Sequence, residues 1–103
     1  MKIVINNQKI ELQIANSFLS RLKGFMFKKK IHTAIRFQTK SIHTFFMKEE
    51  IDVLITDKEN KILAYYKNLE KNKIIYNFKA YYIYELPKNS IKKIKAGDTL
   101  IVI

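Results

Sequence analysis

Residues 42–52 read IHTFFMKEEID and gather the side chains of this chain best suited to chemistry: an imidazole, two phenyl rings, a thioether and a carboxylate. On a strand, His43, Phe45 and Met47 share one face, and Ile42, Thr44 and Phe46 take the other. The face of Asp52 depends on the register of a hairpin joining the two halves. A loop over 48–50 pairs Met47 with Ile51 and sends Asp52 to the far side. A loop over 48–51 pairs Met47 with Asp52 and lines up His43, Met47 and Asp52. In the second arrangement the carboxylate would orient the imidazole, and Ser17, Ser20, Ser41 or Thr44 could offer a hydroxyl. No Ser sits in a Gly-x-Ser-x-Gly elbow, however, and there is no Gly-rich phosphate loop.

With no Cys and two His, thiolate zinc sites and disulfides are excluded, and His43 with Asp52 alone does not make a metal site. No catalytic residue, cofactor or metal is therefore assigned, and enzyme activity ranks below binding. The binding reading is a shallow cleft with Met26 and Met47 as adaptable apolar walls and Arg21, His43 and Asp52 as polar handles. The plainer alternative has His43 and Asp52 satisfying backbone groups at a barrel end while Met47 fills the core.

The elements that must position these residues are short and β-rich. KIVI (2–5) and KIELQI (9–14) flank Asn6-Asn7-Gln8 as a hairpin-like pair. ANSFLSRLKG (15–24) reads as a helix of about two turns, capped by Asn16 or Ser17 and ended by Gly24. IHTAIRF (31–37), SIHTFF (41–46), IDVLIT (51–56) and KILAYYK (61–67) read as strands, with a turn over 57–60. KIIYNFKAYYIYEL (73–86) holds one or two more, NSIKKIKAG (89–97) a single capped helical turn, and TLIVI (99–103) a closing strand. These elements predict a mostly β, compact, single-domain antiparallel barrel or sandwich over residues 1–103, with one short helix in the N-terminal half.

At 103 residues with 48% hydrophobic content, the chain can bury one modest core, and two Gly and one Pro leave little room for linkers. The first apolar run, residues 3–5, is too short for a signal or a membrane span, so a cytoplasmic protein with no membrane span is expected. The net charge of +11 invites a nucleic-acid reading, but all but two of the 20 basic residues are lysine. Arg is the residue suited to bidentate phosphate and base recognition, whereas Lys is a solvated point charge. Richness in Ile, Asn and Tyr points to drift toward A- and T-rich codons. A polyanion partner is thus possible but not favoured. YNFKAYYIY (76–84) invites a stacking platform for single strands; core and edge packing is the simpler account, with Tyr82, Tyr84 and Leu86 on one face and Tyr81, Ile83 and Glu85 on the other.

In this order, three segments resemble the domain-of-unknown-function 192 family of bacteria and archaea: SRLKGFMF (20–27), IHTFFMKEEIDVLITDKENKIL (42–63) and YELPKNSIKKIKAGDTLIV (84–102). The resemblance implies a compact, mostly β domain and supplies no established activity. The family-like pattern fits best when Met47 and Asp52 pair. Phe25 stands in place of the usual Leu, Lys-Glu-Glu replaces an aromatic and Pro after Met47, and Asn89 stands where relatives usually have Gly, in a turn that Asn tolerates. The resulting expectation is a binding domain for a small ligand or partner segment near Arg21, Met26, His43, Met47 and Asp52. Nucleic-acid or polyanion binding through the lysine surface is the alternative, and a hydrolase the third reading.

Overall fold

Alternating apolar residues build most of the chain into strands, and their pairing sorts the side chains into two cores. The computed structural model describes residues 1–15, 32–45 and 47–103. In chain order the strands are β1 (Lys2–Ile5), β2 (Gln8–Ile14), β3 (Ala34–Phe37), β4 (Ser41–His43), β5 (Ile51–Thr56), β6 (Ile62–Leu69), β7 (Ile74–Tyr76), β8 (Tyr82–Pro87) and β9 (Ile101–Val102). Seven form one sheet in the order β6-β5-β8-β3-β2-β1-β9, while β4 and β7 form a separate two-stranded ribbon.

The sheet curls into a half-barrel because its two ends meet. Lys61 bridges Thr99, the Ile62 amide donates to the Asp98 carbonyl (2.8 Å), and the Leu100 amide donates to the Asn60 carbonyl (2.8 Å). The inner core is filled by Ile3, Ile5, Leu12, Leu54, Tyr84 and Leu86, with Ile91 and Leu100 against them. The outer core holds Ile35, Phe37, Ile42, Met47, Val53 and Ile83 under the β4–β7 ribbon, with Ile75 packed on it. β5 lies between β6 and β8 and is buried along its whole length, which explains the almost unbroken apolar run IDVLIT.

Two expectations are corrected. The sheet is not wholly antiparallel: β2 and β3 run parallel, with Leu12 opposite Ala34. The connection between them is long enough for the crossover that a parallel pair requires. The segment 89–97 is not a helical turn but a run of turns, in which Ser90 Oγ donates to the Pro87 carbonyl (2.6 Å). The described residues contain no helix; the helix expected over 15–24 falls, past Ala15, outside the described residues. No described helix is long and apolar enough to cross a membrane.

Left-handed turns are closed mainly by asparagine. Asn6 and Asn7 (φ 51° and 63°) make the two-residue β1–β2 turn, the mirror-image type whose twist suits a hairpin. Asn60, Asn68, Asn72 and Asn89 also have positive φ, so the left-handed turn at Asn89 survives without Gly.

Candidate functional site

Of the side chains expected to converge, the three described ones, His43, Met47 and Asp52, do not share one surface. β4 does not form a hairpin with β5: it pairs with β7, His43 opposite Ile74, while β5 pairs with β6 and β8. Met47 is buried in the outer core with Ile51 and Val53. Asp52 alternates with those two residues and so faces the inner side, next to Ile91. Arg21, Met26 and Phe46 lie outside the described residues.

Asp52 is fully buried, and the chain supplies both of its hydrogen-bond partners. Its Oδ1 accepts the Asn68 amide (2.8 Å) and its Oδ2 the Ile91 amide (2.7 Å). The first bond has a local cause. Opposite Asp52, β6 carries an extra residue, with Ile51 facing Leu69 and Val53 facing Tyr66. Such a bulge leaves an amide without a cross-strand carbonyl, and the carboxylate takes it. Asp52 also lines a recess of 390 Å³ with Lys67, Asn68, Asn89, Ile91 and Lys92. Asn68 and Asn89 close one side of it by exchanging two hydrogen bonds (3.1 and 3.2 Å).

His43 belongs to a different surface. Its Nδ1 accepts the Phe45 amide (3.2 Å), and its ring stacks on Phe45 with centroids 5.1 Å apart. That bond leaves Nε2 as the ring nitrogen available to a partner. Directly opposed residues of an antiparallel pair share a face, so His43 and Ile74, and Ser41 and Tyr76, point the same way. Ile42 and Ile75 point inward to the outer core. The outward face of the ribbon therefore carries Ile74 and Tyr76, exposed by 68% and 66%, beside the His43–Phe45 stack. Phe78, in the turn after β7, is exposed by 66% as well.

The ribbon is held firmly for so exposed a surface. Thr44 is buried; its hydroxyl donates to the Glu70 carbonyl and accepts the Lys73 amide, both at 2.8 Å. Lys40 closes the other end, its Nζ donating to the Phe78 carbonyl (2.7 Å). Asn77 Oδ1 accepts the Lys79 amide (2.9 Å), and Lys79 Nζ lies 5.7 Å from the Phe78 ring centroid. Lys71 and Lys73 precede β7, Lys73 lying 3.9 Å from the Glu70 carboxylate.

The aromatic stretch 76–84 thus divides. Tyr84 is fully buried, its hydroxyl donating to Asn60 Oδ1, and Tyr82 packs against the inner core beneath the Arg36 guanidinium (4.3 Å to the ring centroid). Burial pushes the Tyr84 hydroxyl above its usual range, with Arg36 pulling the other way. Only the first part, through Tyr76 and Phe78, projects outward. Sequence alternation places Ile74 and Tyr76 on one face, but the pairing with β4 that turns this face outward is long-range. Glu85 is buried, opposite Ile35 and Val53. Among the described residues no cluster of three or more His, Asp or Glu could hold a metal ion.

The molecule is a compact, mostly β domain built on a curled half-barrel sheet. The chain belongs to the DUF192 family, "Uncharacterized ACR", whose model matches residues 1–102. It is 34% identical over 98 residues to a UPF0127 protein of Pyrococcus horikoshii, covering 87% of this chain and 85% of that one. A UPF0127 protein of Pyrococcus abyssi is 34% identical over 74 residues, 61% of this chain and 63% of the relative. Two crystal structures share the fold. One, from Sinorhizobium meliloti and provisionally named a transcription regulator, has a TM-score of 0.82 at 16% identity and covers 97% of this chain and 89% of its own. The other, a protein of unknown function from Novosphingobium aromaticivorans, has a TM-score of 0.78 at 11% identity, with 98% and 82% covered.

Proposed function

We propose that the chain is a binding domain whose partner is single-stranded nucleic acid, held on the outward face of the β4–β7 ribbon. The observation that carries this reading is the exposure, by about two-thirds, of Ile74, Tyr76 and Phe78 beside the His43–Phe45 stack, on a ribbon anchored by Thr44 and Lys40. Alternate residues of a strand stand roughly 6.6 Å apart, so bases splayed along an extended backbone can each meet a side chain. Stacking is tolerant of sequence because every base has a π-face. Lys71, Lys73 and Lys79 supply the positive charge beside those faces, within a chain of net charge +11. The scarcity of Arg fits this mode, since stacking with point-charge neutralisation needs no bidentate fork. Of the residues expected from sequence, His43 contributes a contact here and Met47 supports the ribbon from beneath, while Asp52 has its own role in the fold.

The test is fluorescence anisotropy of labelled oligothymidylate across a salt series, with a duplex of equal length beside it. Three lysines on a single strand give a slope of log K against log salt of about −2. The single strand should bind more tightly than the duplex, whose base faces are hidden. Equal affinity for both, or no binding at low salt, defeats the proposal. Binding to anionic phospholipid vesicles without binding to the oligonucleotide would assign the ribbon to a membrane surface instead.

A further inference from the structure

A separate opening lies at the seam where the half-barrel closes. It is a groove of 510 Å³ whose floor includes Ile5, Ile62 and Leu100, with Ile94 at its side and Lys92 and Lys93 among its lining. The three floor residues belong to the inner core and are almost fully buried. Asn6 builds one wall: its Oδ1 accepts the Lys93 amide (3.3 Å) and its Nδ2 donates to the Ser90 carbonyl, which holds the 90–93 segment against the β1–β2 turn. The side chain of Asn6 is thereby occupied.

The charges around the groove are unequal. Lys92 and Lys93 are exposed, and among the described residues neither forms an ion pair. The acid of the groove, Asp98, turns its Oδ2 to the amide of Lys95 (3.2 Å). The mouth of a β-barrel with an apolar floor and a few polar groups is a common setting for small ligands, and the volume falls in the usual range for them. We infer that this groove takes a small amphipathic carboxylate, its apolar chain lying over Ile5, Ile62 and Leu100 and its anionic end meeting Lys92 and Lys93. The apolar floor sets the preference for chain length, and the two cations set the preference for charge.

Titration calorimetry with octanoate and decanoate below their micelle concentrations and decanol below its solubility limit tests the inference together with methyl NMR. Decanoate should bind roughly fifteenfold more tightly than octanoate, the worth of burying two methylenes. Replacing both cations (Lys92→Gln with Lys93→Gln) should weaken decanoate about fivefold and leave decanol unchanged, and these exposed positions leave the fold intact. The methyls of Ile5, Ile62 and Leu100 should shift on titration. Absence of binding, chain-length independence, decanol matching decanoate, or shifts confined to Ile74 and Ile75 would each overturn it.

Discussion

Asp52→Asn tests the role of the buried carboxylate at the sharpest point. In the folded chain both carboxylate oxygens accept backbone amides, at 2.8 and 2.7 Å, with no exposure to solvent. Asn keeps one acceptor, now uncharged, and turns an amino group toward the second amide, so a donor faces a donor. Hydrogen bonds to charged groups contribute about 1.5–3 kcal/mol each, and an orphaned buried donor costs about 1–3 kcal/mol. Weakening one bond and losing the other comes to roughly 2–4 kcal/mol. A domain of this size loses about 4–8 °C in Tm per kcal/mol, which predicts a fall of roughly 8–32 °C. Urea denaturation followed by circular dichroism gives the free energy, and a thermal scan gives Tm. Because the ribbon lies on the other face of the sheet, oligonucleotide affinity measured well below Tm should be unchanged. A variant within about 0.5 kcal/mol of the parent would refute the reasoning, since surface substitutions alone produce changes that small.

Three further outcomes follow from particular residues. Thr44→Val removes the hydroxyl that joins Glu70 and Lys73 and should cost about 1–3 kcal/mol in urea denaturation, while also weakening oligonucleotide binding through a looser ribbon. Asn7→Gly, at a position with φ 63°, should stabilise the β1–β2 hairpin by about 0.5–1 kcal/mol, and Asn7→Ala should destabilise it, both read from denaturation midpoints. Tyr84 is held above its usual range by burial, so the folded chain keeps a proton that the unfolded chain releases near pH 10. Its contribution is therefore full below about pH 10 and is lost as pH rises through the folded value; denaturation at stepped alkaline pH should show this decline, reduced in Tyr84→Phe.

Much of the strand pattern was legible because local physics imposed it. KIVI and the alternating Ile10, Leu12 and Ile14 pair as the expected hairpin, with Gln8 joining the strand rather than the turn, and the run 51–56 is apolar because neighbours cover both its faces. The faces of Tyr82 to Leu86 also followed from alternation. What failed was long-range pairing. SIHTFF invited a hairpin with IDVLIT, but its strand ends at His43, where Thr44 turns inward to bind the Glu70 and Lys73 backbone. The partner of β4 comes from residues 74–76, and nothing local to either segment specifies that match. That Asp52 satisfies backbone groups and Met47 fills the core was the plainer of the two sequence readings; which amides Asp52 takes was hidden, because it answers a bulge in β6 and a turn after Pro87 that no neighbour of Asp52 in the chain announces. The helix expected over 15–24 falls, past Ala15, outside the described residues, where Arg21 and Met26 also lie.

The most direct test of the central claim is an NMR titration of the chain with oligothymidylate, read at the aromatic side chains and repeated on a Tyr76→Ala, Phe78→Ala double variant. Stacking predicts upfield shifts of the Tyr76 and Phe78 rings with a smaller change at His43, while the buried Tyr84 ring stays still. At about 1–3 kcal/mol per stacked base, each substitution should weaken binding by roughly 5- to 150-fold, with little change in Tm because both rings are already largely exposed. Rings that do not move while lysine resonances do, or a double variant that binds as tightly as the parent, would contradict the account.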